Sequence, residues 1–218
     1  MTLYRWYMAN NLNSVKTEAR YHHGALREAL LLAAEELIAE RGAEGFSLRE
    51  TARRAGVSPS APAHHFGDAR GLLTALAGRA FALFADALEA ADRGAGGARS
   101  ARVKAQGLAY VRFALAHPGL FELMWRRDMI DPGDEVYRGE SRRAFGMLQS
   151  ASEGRAARPV ARDLTAPPDP ATMASWSIVH GYAMLALGGA MGRDDKAHAR
   201  ALALLPRVLD HLELQRRR

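Results

Sequence analysis

The chain has no cysteine. That excludes disulfides and thiolate metal sites, and it accords with a reducing cytoplasm. The sequence has no His-Glu-x-x-His pair, no Gly-rich phosphate loop and no nucleophile elbow, so the usual local signs of zinc hydrolysis, nucleotide binding and serine hydrolysis are missing. No catalytic residue, metal or cofactor is therefore expected. The N-terminus, MTLYRWYMANN, lacks the continuous apolar core of a signal peptide. No segment alternates as a strand does, and there is no internal repeat. Ala171 to Gly192 contains no Asp, Glu, Lys or Arg and is long enough to cross a bilayer. Polar residues such as Thr172, Ser175 and His180, with four glycines, interrupt it. A buried interface helix is expected there, and no membrane partner.

What is present is ordinary for a globular protein. The chain has 218 residues, of which 48% are hydrophobic, enough for one small domain and a larger helical one. The net charge of +6 is unevenly placed. Residues 1–70 hold nine Lys/Arg against eight Asp/Glu, whereas residues 71–218 hold twenty-one against sixteen. Basicity alone therefore does not locate a nucleic-acid surface.

Local chemistry does. In SLRETARRAGVSPSAPAHHF (47–66), Ser47 and Glu50 form an S-x-x-E capping box at a helix start. Leu48, Thr51 and Ala52 recur at helical spacing. Gly56 suits a left-handed turn, with Val57 packed beneath it. Ser58 is a good N-cap and Pro59 suits a first helical position, so a second short helix is expected to open there. Two short helices joined by a tight turn make a helix-turn-helix, whose second helix can enter the DNA major groove. Asp68 is the expected cap of a following apolar helix.

These residues resemble the DNA-binding domain of the TetR/AcrR family of bacterial transcriptional regulators. The resemblance runs through the apolar first helix (about Gly24 to Arg41), Gly42, Phe46-Ser47, Ala52 to Ser58, His65-Phe66 and Leu72-Leu73. In the C-terminal half, Trp176, His180 and Gly181 resemble the motif of the family's "WHG" ligand-binding domain, and Ala116–Trp125 fits the same type. The resemblance implies an all-α fold: a three-helix DNA-binding domain followed by a helical ligand-binding and dimerisation domain. It further implies a cytoplasmic homodimer that binds a palindromic double-stranded DNA operator and is released by a small-molecule effector. Two positions depart from the pattern. Pro62-Ala63 replaces Leu-Tyr, which removes a tyrosine that reaches phosphate, and Ala69 replaces a lysine, with Arg70 beside it.

The expected organisation is a flexible arm (residues 1–20), a helix-turn-helix domain (21–67), and a connecting helix with the ligand-binding and dimerisation domain (68–218). Arg5, Lys16 and Arg20 on the arm can follow a DNA backbone; a loose tail is the plainer reading. Leu26, Leu30, Ala33, Leu37 and Ile38 form the inner stripe of the first helix. Further helices are expected at about Asp68–Asp92, Arg99–Ala116, Leu120–Arg127, Glu135–Glu153, Pro170–Met191 and Lys196–Leu214, with a loop over residues 154–170. Expected DNA contacts are Ser47, Arg49, Ser58, Pro59, Ser60, Ala61, His64, His65 and Arg70. Ser47 and Arg49 would reach phosphate, Ser60 and His64 would read bases, and His65 would contact phosphate or hold the helix. The plainer reading is that these are caps and solvated charges. Tyr110, Phe121, Met124, Trp125, Phe145, Trp176, His180 and Met184 are expected to line an effector pocket, with core packing as the alternative. Leu202, Leu205, Val208, Leu209 and Leu212 offer a dimer stripe. The rival reading is a helical ligand-binding protein or enzyme that has lost DNA reading at Pro62-Ala63.

Overall fold

The computed structural model describes residues 18–155 and 169–214, with side chains from 24 to 155 and from 169 to 210. Nine α-helices and no strand lie among the described residues. They are α1 (Glu18–Arg41), α2 (Leu48–Arg54), α3 (Ala61–Phe66), α4 (Ala69–Gly94), α5 (Arg99–Ala116), α6 (Pro118–Leu123), α7 (Glu135–Glu153), α8 (Pro170–Leu187) and α9 (Ala197–Leu214). A 3-10 turn, Ala43–Gly45, links α1 to α2.

Short-range chemistry sets most helix ends. Asp68, Asp134 and Asp169 cap α4, α7 and α8, each accepting from a backbone N–H two or three residues ahead. Several expected bounds shift. α1 begins at Glu18, inside the expected arm; the rest of that arm, residues 1–17, lies outside the described residues. Pro118 opens α6 two residues before the expected start at Leu120, because a proline at the first helical position gives up an N–H that the helix leaves unbonded. α6 then ends at Leu123, four residues early. α8 stops at Leu187, so Ala171 to Gly192 is not one continuous helix. Of the expected 154–170 loop, residues 156–168 lie outside the described residues.

α4 is the axis of the fold. Its buried line runs Leu72, Leu73, Leu76, Ala77, Ala80, Phe81, Phe84, Ala85 and Leu88, while Leu83 is 41% exposed. α4 packs on α7 and α5, and α5 in turn packs on α8 and α9. Among the described residues α4 is the one helix long and apolar enough to cross a membrane, but 61% of its apolar stretch is buried, as in a core helix.

The first three helices join the rest of the chain through α4 and α6. The backbone of α6 lies directly on α1: a Cβ at Gly119 would meet Ile38 Cγ2 at 2.8 Å and Ile38 O at 2.9 Å. Arg126, beyond α6, donates to Glu44 of the 3-10 turn at 2.6 Å. Buried Thr74 donates to Arg70 O (2.7 Å) and accepts from the Asp131 N–H (2.8 Å), tying the N-terminal end of α4 to the segment after α6.

Candidate nucleic-acid interface and aromatic cluster

The α2–turn–α3 unit is built as its sequence suggests, with one change of register. Ser47 Oγ accepts from the Glu50 N–H at 3.4 Å. Glu50 does not complete the capping box. Its carboxylate is held by Arg53 (2.8 and 2.7 Å) and by Arg54 Nε (3.2 Å). After α2, Val57 N–H donates to Ala52 O and Gly56 N–H to Arg53 O, a Schellman pair with Gly56 at φ +68°. Val57 is half-buried beneath the turn.

Ser58 is not the N-cap of the second helix. Residues 58–60 form a turn closed by the Ala61 N–H on Ser58 O (3.0 Å), Ser60 is the N-cap, and α3 starts at Ala61. Pro62 therefore falls in the first helical turn, where its missing N–H breaks no helix bond, and it is buried. A proline at position 59, expected to open the helix, instead shapes the turn before it.

The surface this produces is polar and open. Arg49, Ser58, Pro59, Ser60, His64 and Arg70 are exposed, Ser47, Ala61 and His65 are half-buried, and Ala63 is exposed. Phe66 packs against the core and lies under the Arg27 guanidinium of α1, 5.0 Å from the ring centroid. α3 is thus held from beneath by Pro62 and Phe66 while His64 points outward. His64 and His65 stand edge to face at 5.4 Å.

The arginines of this region divide into two kinds. Arg54 bridges Glu40 (2.9 and 2.5 Å) and Glu50, and Arg53 pairs with Glu50. The bonds from Arg53, then those from Arg54, hold the Glu50 carboxyl down at about 2. These pairs therefore persist throughout the neutral range. Arg49 has no ion pair among the described residues. It projects from the first turn of α2 as an uncommitted cation, the type that neutralises a phosphate.

The second constellation lies between α5, α6, α7 and α8. Tyr110 is fully buried, and its hydroxyl accepts from Trp176 Nε1 at 3.2 Å and meets His180 Nδ1 at 2.9 Å. Indole can only donate, so the phenol oxygen accepts from Trp176, and His180 Nδ1 is the acceptor in reach of the phenol's own proton in the tautomer that carries its hydrogen on Nε2. Burial lowers the His180 pKa, so the ring is neutral at pH 7. The phenol is raised well above its ordinary value, mainly by burial.

Four of the expected pocket residues gather around this pair. His180 lies 5.6 Å from Phe121, 5.1 Å from Trp125 and 6.4 Å from Trp176, while Phe145 reaches Trp176 at 5.7 Å. Met124 is fully buried in the same core. Met184 does not join them: it is 50% exposed. Sequence reasoning missed the contributions from α4, where Phe84 packs on Tyr110 at 4.9 Å and Phe81 on Trp125 at 5.5 Å. It also missed Gln106, one turn before Tyr110 on α5, a polar residue in an apolar stripe. Among the described residues no group of three or more His, Asp or Glu comes together as a metal site would require.

Comparison with known proteins bears on both constellations. The model of the TetR family of bacterial regulatory proteins matches residues 30–76, and that of the tetracyclin repressor-like C-terminal domain matches residues 103–212. The chain belongs to the TetR family. It is a DNA-binding transcriptional regulator, with α2 and α3 as its helix-turn-helix. Its fold is similar to that of a Rhodococcus sp. RHA1 protein of unknown function, with 33% identity, 87% of this chain and 98% of that one covered, and a TM-score of 0.64. It also resembles a TetR family regulator from Marinobacter aquaeolei VT8 (21% identity, 86% and 96% covered, TM-score 0.58). A third similar structure is RolR in complex with its ligand resorcinol (19% identity, 86% and 89% covered, TM-score 0.50). No curated protein matches the chain. In this TetR-family regulator the WHG-like residues Trp176 and His180 meet at the Tyr110 hydroxyl, and Gly181 follows on the same helix.

Proposed function

We propose that the chain is a cytoplasmic, dimeric repressor whose DNA affinity is lowered when a small apolar effector enters the aromatic cluster. The observation that carries the DNA half is the division of charge on α2. Arg53 and Arg54 are committed to carboxylates, whereas Arg49 is exposed with no ion pair among the described residues. In this reading Ser47, Arg49, His65 and Arg70 engage phosphates, and Ser58, Pro59, Ser60, Ala61 and His64 approach the bases. Early residues of a recognition helix reach base edges in helix-turn-helix proteins.

The dimer face differs from the sequence expectation. Leu205 and Leu209 are buried in the chain's own core, at 0% and 2% exposure, and cannot meet a partner. Leu202 and Val208 are half-buried against that core, and the side chain of Leu212 lies outside the described residues. On α8 and α9 the exposed large apolar side chains are Met173, Met184, Leu185 and Leu204. These four supply the two-fold contact in our reading, which moves Met184 from the effector site to the interface. Such a dimer would read half-sites about 34–36 Å apart, so its operator would be palindromic.

The effector half rests on the cluster around Tyr110, which is apolar, neutral and furnished with a few polar atoms, as small-molecule sites are. RolR, which shares the fold, binds resorcinol. An effector acts only through its difference in affinity for the two DNA-binding states, and a hundredfold release needs roughly 2.7 kcal/mol. The deciding experiment is salt-titrated binding of the purified protein to its own upstream DNA against scrambled DNA. Binding roughly a thousandfold tighter to its own region supports the reading. Equal, weak binding to both, with an intact dimer, counts for the rival in which Ala63 marks a lost DNA function.

A further inference from the structure

Arg27 on α1 is exposed and has no ion pair among the described residues. The neighbouring carboxylates are engaged elsewhere. Glu28, beside it on α1, pairs with Arg79 of α4. Asp68, two residues past Phe66, accepts from the Gly71 N–H at 2.7 Å as the cap of α4. What Arg27 does contact is a ring. Its guanidinium carbon lies over Phe66, 5.0 Å from the ring centroid. Phe66 is the last residue of α3 and is half-buried against the core, so the ring is held from beneath.

That contact restrains the side chain without using its hydrogen-bonding capacity. A guanidinium is drawn to a ring by the ring's quadrupole, an attraction that consumes no oxygen acceptor. The five N–H donors stay available, and their planar fork matches the oxygens of a phosphate. The long, flexible stem is meanwhile fixed at one place, beside the C-terminal end of the recognition helix. Arg70, four residues past Phe66 on α4, is exposed as well. The early residues of a recognition helix are the ones that reach base edges, so a cation at its other end is placed for the DNA backbone.

We propose that Arg27 is a DNA-phosphate ligand supplied by α1, from outside the helix-turn-helix, and that the Phe66 ring is the residue that positions it. This rests on α3 being the helix that faces DNA. The contact reads no base; it fixes the register and orientation of α3 on the duplex. Phe66 thereby has two tasks: it anchors α3 to the core from one side and presents the Arg27 cation on the other.

The test is salt-titrated binding of the full-length protein to its own upstream DNA and to a scrambled duplex of equal length, with thermal unfolding as the check that each variant folds. Arg27→Ala should weaken binding to both duplexes by about fivefold at roughly 0.15 M salt and lower the salt-dependence slope by about one. Arg27→Lys should keep the wild-type slope, because the charge remains, yet bind less tightly than wild type, because an ammonium lacks the fork. Phe66→Leu keeps an apolar side chain and removes the ring. It should weaken binding about two- to threefold when Arg27 is present, and cause no further loss in the Arg27→Ala background. An unchanged slope in Arg27→Ala overturns the phosphate contact even if affinity falls, since the arginine would then act only by steadying α3. An equal loss from Phe66→Leu in the two backgrounds overturns the positioning role of the ring. If wild type binds both duplexes alike, the specific-repressor reading falls, and the slopes on scrambled DNA still decide whether Arg27 meets phosphate.

Discussion

The two ends of α4 solve opposite electrostatic problems. At the N-terminal end, near α2 and α3, charges are abundant and partly cancelled: Arg53 and Arg54 are held by Glu50 and Glu40, whereas Arg49 and Arg70 are exposed with no ion pair among the described residues. At the middle and far end, the α5–α8 cluster contains no formal charge: its polar atoms are a phenol, two indoles and a neutral imidazole. Net charge is misleading about both. The first 70 residues are nearly neutral yet carry the DNA surface, while the more basic remainder encloses an uncharged site. The two ends also differ in which groups are left uncommitted after folding. At the DNA end the leftovers are cations. Beside the cluster they are an acceptor, Gln106 Oε1, and a buried indole N–H on Trp125 that also lacks a partner.

The comparison breaks most visibly if the cluster is hollowed. Phe121 is fully buried and stacks on Tyr110, Trp125 and His180. Phe121→Ala should cost about 3–5 kcal/mol of stability in urea unfolding. Because α6 also lies on α1 at Gly119, the same variant should weaken operator binding by protein that is still folded. A next, smaller effect is expected from Tyr110→Phe. It keeps the ring and removes the hydroxyl, stranding Trp176 Nε1 and His180 Nδ1, at about 1–3 kcal/mol. DNA affinity should be unchanged in that variant if the two ends are independent in the absence of effector.

Acid sharpens the same contrast. The His180 pKa is lowered in the folded protein by burial. Below its unfolded value of about 6.5, the unfolded chain takes up a proton that the folded chain resists. Stability should therefore fall as pH drops from about 6.5 toward the lower folded value. Glu50 behaves differently, because its lowered pKa keeps its arginine pairs intact until pH approaches about 2. Unfolding followed between pH 7 and 5 should show a loss reported by tryptophan fluorescence that His180→Gln abolishes. An equal loss in both proteins would show that another group governs the acid response.

What the sequence revealed follows from how local each feature is. The α2 turn was legible because a Schellman stop and a serine cap are decided within six residues. The start of α3 was not: two serines compete for the cap, and the tertiary contact that buries Pro62 settles the choice at Ser60. Trp176 and His180 were legible as an i, i+4 pair. Phe84 and Phe81, which pack behind Tyr110 and Trp125, were not, because they arrive from a different helix, α4, through tertiary packing that periodicity does not reveal. Helical periodicity also showed that α9 is amphipathic without showing which side meets the chain's own core, and so Leu205 and Leu209 were assigned to a partner. An orphan acceptor such as Gln106 Oε1 cannot be read from sequence, since it exists only once Asp92 has taken the amide's other end.

The smallest expected effects test the division of arginines directly. Arg49→Ala should weaken binding to operator and random DNA alike and reduce the salt-dependence slope by about one. Arg53→Ala should change that slope little, because its charge is already matched by Glu50. Ser60→Ala and His64→Ala should alter the ratio of specific to random binding and leave the slope near the wild-type value. The informative comparison is between the two arginines, four residues apart on one seven-residue helix. If net basicity drove association, their removal would be equivalent. Equal slopes for Arg49→Ala and Arg53→Ala would mean that the Glu50 pair opens when DNA approaches, making Glu50 a competitor for phosphate. In that case Glu50→Gln should tighten binding to all sequences, whereas it should leave affinity nearly unchanged if Arg53 is structural.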